Sequence, residues 1–232
     1  MEVCSADSEE PAVFQFESDL YLICNPWQND DSCGLLSNDQ IAEYVMNEHG
    51  EIYLGSADIP QSIPWYFGQF ESPVLPTALT LLNRVQPPAE QRIDTSTILR
   101  ILAAKICSDP GTINGLFPSL LDVQPKLCLE NGYTSSPAIL KQFVISNGQS
   151  VAGDSGTNWQ HAAVFCSLCR SLGIPCRVVT IYNAVLDAKD RSIRSSPWHL
   201  WNECWFHRDD LSKNQTGWQV LDSSFNESEK SR

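Results

Sequence analysis

His161, Cys166, Cys169 and Cys176 lie close together in the chain. Imidazole nitrogens and thiolates are the usual zinc ligands. Their spacing does not suit the metal. On a helix His161 and Cys166 point apart, Cys176 falls beyond Pro175, and the order fits no common zinc pattern. Thiols packed in or near a core are the simpler reading. Cys166 and Cys169 also stand a turn or more into their helix, away from the end whose dipole favours a thiolate. His199 sits between Trp198 and Trp201, and taken alone is a satisfied strand residue. Asp222 closes an apolar run and, taken alone, is a solvated carboxylate. Asn158 opens a helical pattern, where asparagine is among the best N-caps.

The elements that must position these residues are legible from periodicity. Residues 159–172 carry a helical pattern, stopped by Gly173-Ile174-Pro175. Strands are expected over 177–182, 200–207 and 218–221. Upstream, the even positions Phe14, Phe16, Leu20, Leu22 and Cys24 predict a strand. A helix is expected over 37–50, capped by Ser37 and stopped by Gly50, then a short strand over 51–54. Further helices are expected over 76–82, 94–107 and 138–144. A loop rich in Gly, Pro and Asn joins the last two. A helix followed by a run of strands implies an α+β fold.

Composition narrows the function. The net charge of -13 offers no basic face for phosphates, so nucleic acid is excluded as the expected partner. Anionic membrane surfaces are disfavoured for the same reason. Arg170, Pro175 and Arg177 interrupt the most apolar stretch, around 162–185, so membrane insertion is not expected. Nine cysteines, an odd and scattered set, read as reduced thiols. With no basic and apolar leader pattern at residues 1–10, the expected location is cytoplasmic. Sequons at Asn214 and Asn226 are then expected to stay unmodified.

Longer motifs carry a resemblance. Asn25-Pro26-Trp27, Glu43-Tyr44-Val45, Gly55-Ser56-Ala57 and Ile63-Pro64-Trp65-Tyr66-Phe67-Gly68-Gln69-Phe70-Glu71 occur in that order. They are followed by Leu172-Gly173-Ile174-Pro175-Cys176-Arg177-Val178-Val179-Thr180, Trp198-His199-Leu200-Trp201-Asn202-Glu203-Cys204-Trp205 and Gly217-Trp218-Gln219-Val220-Leu221-Asp222. This ordered set, covering about residues 14–224, resembles the catalytic core of the animal transglutaminases. The resemblance implies a papain-like (cysteine proteinase) α+β core at 14–229, apparently incomplete at its C-terminal end. Residues 1–13 would be an acidic flexible tail. The family chemistry is acyl transfer: a cysteine thiolate attacks a glutamine side-chain amide, ammonia leaves, and a lysine amine takes the acyl group.

Carried over by position, the resemblance makes His199 the general base and Asp222 the carboxylate that orients it. The nucleophile should precede Trp159, and that position is Asn158. Phe117, in Asp109-Pro110-Gly111-Thr112-Ile113-Asn114-Gly115-Leu116-Phe117, stands where the family has a tryptophan that donates to the oxyanion. Phenylalanine has no donor. Calcium would be the implied cofactor, but the loop after residue 182 is short. Lys189 replaces an expected acid there, leaving Asn183, Asp187 and Asp190 as vestigial ligands. No cofactor is therefore expected with calcium only implied by family.

These departures resemble the case of the erythrocyte membrane protein band 4.2, a member without the cysteine that serves as a scaffold. The expectation is a transglutaminase-like protein without acyl-transfer activity that binds protein partners. The alternative is a calcium-dependent protein-glutamine gamma-glutamyltransferase, an acyltransferase crosslinking glutamine- and lysine-bearing proteins.

Overall fold

The computed structural model describes residues 2–3, 12–13, 23–34, 37–85, 94–106, 115–117, 135–146, 158–186, 194–208 and 217–223. Two short strands, β1 (Glu2–Val3) and β2 (Ala12–Val13), pair antiparallel. Of the strand expected over residues 14–24, residues 14–22 lie outside the described residues, and Ile23 and Cys24 form no strand.

Ser37 caps α1 (Asn38–Ile41), its hydroxyl accepting from the Gln40 N–H at 3.2 Å. The helix is shorter than residues 37–50. It widens into a π turn over Ala42–Met46 and stops there. Gly50 is not its terminator. It lies in β3 (His49–Gly55), where a Cβ would come within 2.7 Å of the Phe67 ring. The carbonyls at the helix end are met by side chains instead. Gln69 Nε2 donates to the carbonyls of Val45 (2.7 Å) and Asn47 (3.2 Å).

β3 pairs antiparallel with β4 (Pro60–Tyr66), joined through Gly55, whose φ of +91° suits glycine. Periodicity alone missed β4, because Pro60 and Pro64 argue against a strand. Pro64 is exposed, so its ring displaces nothing buried. α2 (Val74–Val85), α3 (Thr95–Ile106) and α4 (Ser136–Ile145) follow, each a little longer or shorter than its periodic core suggests. Asp94 caps α3 through the Thr97 N–H at 2.9 Å, and Ser135 caps α4.

The centre of the fold is α5 (Asn158–Ser171). Every residue from His161 to Ser171 is buried. A helix buried all round needs no amphipathic stripe. One side meets α2, α3 and α4; the other meets an antiparallel sheet in the order β5 (Cys176–Leu186), β6 (Arg194–Phe206), β7 (Gly217–Leu221). Gly173 ends α5 with φ +79°, its N–H donating to Arg170 O while Ile174 N–H donates to Cys169 O, both at 3.0 Å. Buried polar groups on the helical side form a closed chain. Trp65 Nε1 donates to Ser136 Oγ (3.0 Å), and Ser167 Oγ donates to Ser136 Oγ (2.7 Å). Ser167 Oγ also lies 3.2 Å from the Ala163 carbonyl.

No helix among the described residues is long and apolar enough to cross a membrane.

Candidate active site

β6 and β7 bring His199 and Asp222 together. The register pairs Asn202 with Leu221, so Asp222, just beyond β7, arrives beside the His199 face of β6. His199 Nε2 lies 2.6 Å from Asp222 Oδ2, a short hydrogen-bond contact. The imidazole is 6% exposed and the carboxylate 26%, so the dyad sits at the edge of the core. Such a pair can fix a histidine tautomer and support a proton transfer at the other ring nitrogen.

Asn158 is the first residue of α5, where the positive end of the helix dipole lies. It begins the helix itself rather than preceding it as an N-cap. Thr157 lies outside the described residues. α5 is anchored to β6 by Asn202, whose Nδ2 donates to the Ala162 carbonyl at 2.8 Å. Trp159 stacks edge-on against Trp65, ring centroids 5.5 Å apart.

Phe117 follows α3, held by Leu116 N–H to Lys105 O and Phe117 N–H to Ile106 O, both 2.8 Å. Its ring is stacked on His161, centroids 4.3 Å apart and 19° from parallel. Among the described residues, neither ring nitrogen of His161 has a hydrogen-bond partner. Burial drives its pKa down to about 3, partly opposed by the charge of Asp222. His161 is therefore a neutral imidazole. In the sequence it stands out only beside the cysteines, at a spacing that does not suit zinc. Its position three residues after Asn158, on one helix face, is the signal that could have tied it to this site. The indole nitrogens of Trp159 and Trp201 are also buried without partners among the described residues.

The candidate calcium ligands are not brought together by the described residues. Asn183 is exposed within β5, at φ +56°. Asp187 and Asp190 lie outside the described residues. The groups of potential ligands that do converge are thiol-rich: Cys169, Cys176 and Cys204, and Cys24, Asp31 and Cys33. These donors do not fit a hard cation such as calcium.

Residues 131–223 match the transglutaminase-like superfamily. The chain is 34% identical to protein-glutamine gamma-glutamyltransferase 5 of Mus musculus, over 94% of this chain and 33% of that protein. It is 31% identical to Protein 4.2 of Mus musculus, over 86% of this chain and 31% of that protein. The crystal structure of red sea bream transglutaminase superimposes with a TM-score of 0.74 at 30% identity, covering 88% of this chain and 34% of that one. The chain thus spans about a third of the length of the curated relatives it matches.

Proposed function

From a chain that carries a transglutaminase-like core domain with a partial α+β transglutaminase fold, we propose a catalytically silent, protein-binding role. The observation that supports it is Asn158 at the start of α5, the residue that the sequence resemblance sets in the family's nucleophile position. A carboxamide has no lone pair comparable to a thiolate and cannot form the thioester through which acyl transfer runs. The His199–Asp222 pair then holds a base with nothing to deprotonate. Phe117 adds a second loss, since its ring offers no donor to an oxyanion. Proteins are the partners, and the cytoplasm is the compartment in which its free thiols would stay reduced.

A second reading is favoured by the intact dyad and by relatives named protein-glutamine gamma-glutamyltransferases. In it the chain is an acyltransferase working through another nucleophile.

Incorporation of a labelled primary amine into a glutamine-rich protein separates the two. The assay is run with and without calcium, on this chain and on Asn158→Cys. The silent role predicts no incorporation by the parent chain and a gain in the variant. Calcium-dependent incorporation by the parent would reject the silent role.

A further inference from the structure

The densest group of reactive side chains lies away from the dyad, where α5 meets the sheet. Cys166 and Cys169 are three residues apart on α5 and so share a face. Cys176 and Cys204 stand directly opposite each other in the β5–β6 ladder. All four are fully buried and free of disulfides. The sulfur atoms of Cys169, Cys176 and Cys204 lie within 4.8 Å of one another, with Cys169 and Cys204 at 3.9 Å. Cys166 Sγ is 3.4 Å from the carbonyl oxygen of Cys176, which places a fourth thiol beside this group.

Zinc bonded to four thiolates at about 2.3 Å sets its sulfur atoms roughly 3.8 Å apart. The sulfur atoms of Cys169, Cys176 and Cys204 approach that spacing. Bringing in Cys166 as the fourth ligand requires its side chain to turn away from the Cys176 carbonyl. Cys204, contributed from far along the chain, is the ligand that local spacing could not reveal.

The surroundings supply an independent indication. Arg170 is 5% exposed, and no carboxylate pairs with it among the described residues. Its Nε donates to Cys176 O (3.0 Å), its Nη1 donates to Asn47 O (2.6 Å), and its guanidinium lies 4.5 Å from the Phe67 ring centroid. A buried cation without a counter-ion is costly. A zinc–tetrathiolate centre is anionic and would supply one.

We propose that Cys166, Cys169, Cys176 and Cys204 form a closed structural zinc site that ties α5 to β5 and β6. Binding exchanges four S–H protons for one zinc ion, leaving a dianion half offset by Arg170.

The test uses the full chain, untagged, produced with zinc in the medium and purified without chelator. Elemental analysis is expected to find about one zinc per chain, by the stoichiometry of a tetrathiolate site. Cobalt substitution is expected to give a thiolate-to-cobalt charge-transfer band and tetrahedral visible bands. Cys169→Ser and Cys204→Ser should lose metal and bands, while Cys24→Ser keeps both. Should the serine variants not fold, stripping zinc from the wild-type chain under unfolding conditions must release zinc together with four additional reactive thiols. The proposal is overturned by a folded, zinc-free wild-type chain that shows no cobalt–thiolate bands. It is equally overturned by a Cys169–Cys204 disulfide, or by bands that vanish in Cys24→Ser and persist in Cys204→Ser.

Discussion

The imidazole of His161 lies flat against the ring of Phe117, centroids 4.3 Å apart, with both nitrogens buried and without a hydrogen-bond partner among the described residues. Its folded pKa of about 3 lies below the ordinary 6.5. A histidine depressed in this way leaves full stability above pH 6.5. Below that, the unfolded chain binds the proton more readily, and stability is lost as the pH falls toward the folded pKa. Across that window the loss is on the order of 5 kcal/mol. His161→Phe should flatten the dependence of urea-unfolding stability on pH between 7.5 and about 4.5. Equal slopes for the two proteins would contradict this account.

The dyad predicts a dependence that only a restored nucleophile can reveal. If Asn158→Cys gains amine incorporation, adding Asp222→Ala should lower its rate by about 10²–10⁴-fold, because His199 loses the group that orients it. An unchanged rate in the double variant would show that the 2.6 Å contact is only structural.

Phe117 can be tested in the same background. Phe117→Trp supplies an indole N–H and should raise the rate of Asn158→Cys by about 10²–10³-fold, if the ring fits against His161. A fall in thermal stability together with no gain would indicate that the stack with His161 cannot admit the larger ring.

Ser136 holds together the polar chain beneath α5. Ser136→Ala leaves Trp65 Nε1 buried without its acceptor and should cost about 1–3 kcal/mol in denaturant titrations. In a Trp65→Phe background the same serine substitution should cost measurably less, since no indole N–H remains to be orphaned. Additive losses in the double-mutant cycle would refute the coupling.

Gly173→Ala probes the turn from α5 to β5. Its φ is +79°, and an added Cβ would meet the Cys24 carbonyl oxygen at 2.2 Å. Strain and displacement together should cost about 2–4 kcal/mol, read as a lower denaturation midpoint. A loss below 1 kcal/mol would mean that the Cys24 segment moves aside freely.

Much of this architecture was legible in the sequence because its signals are local. Ser37 as a cap, Gly173-Ile174-Pro175 as a stop and the apolar runs of β5, β6 and β7 each act within a few residues. The α+β class followed from their order. What escaped depends on tertiary partners. Gly50 reads as a helix terminator until Phe67 is seen against it. β4 is hidden by prolines that its exposed face tolerates. His161 offers no zinc spacing in the sequence, and only the fold shows it stacked on Phe117, with no hydrogen-bond partner among the described residues. For the site, His199 and Asp222 were paired by family resemblance, and the register of β6 with β7 supplies the physical reason they meet. Asp187 and Asp190 lie outside the described residues, so the loop reading of calcium stays where the sequence left it.

The enclosure of α5 has a consequence for how the chain opens. Its neighbours come from residues before it and after it, so its burial is complete only when α2, α3 and α4 and the β5–β6 pair have all docked. Such contacts are distant in sequence, which slows folding and links distant segments into one cooperative unit. The backbone amides of residues 162–171 should then exchange with solvent only through global unfolding, whereas those of the β3–β4 hairpin should exchange through smaller local openings.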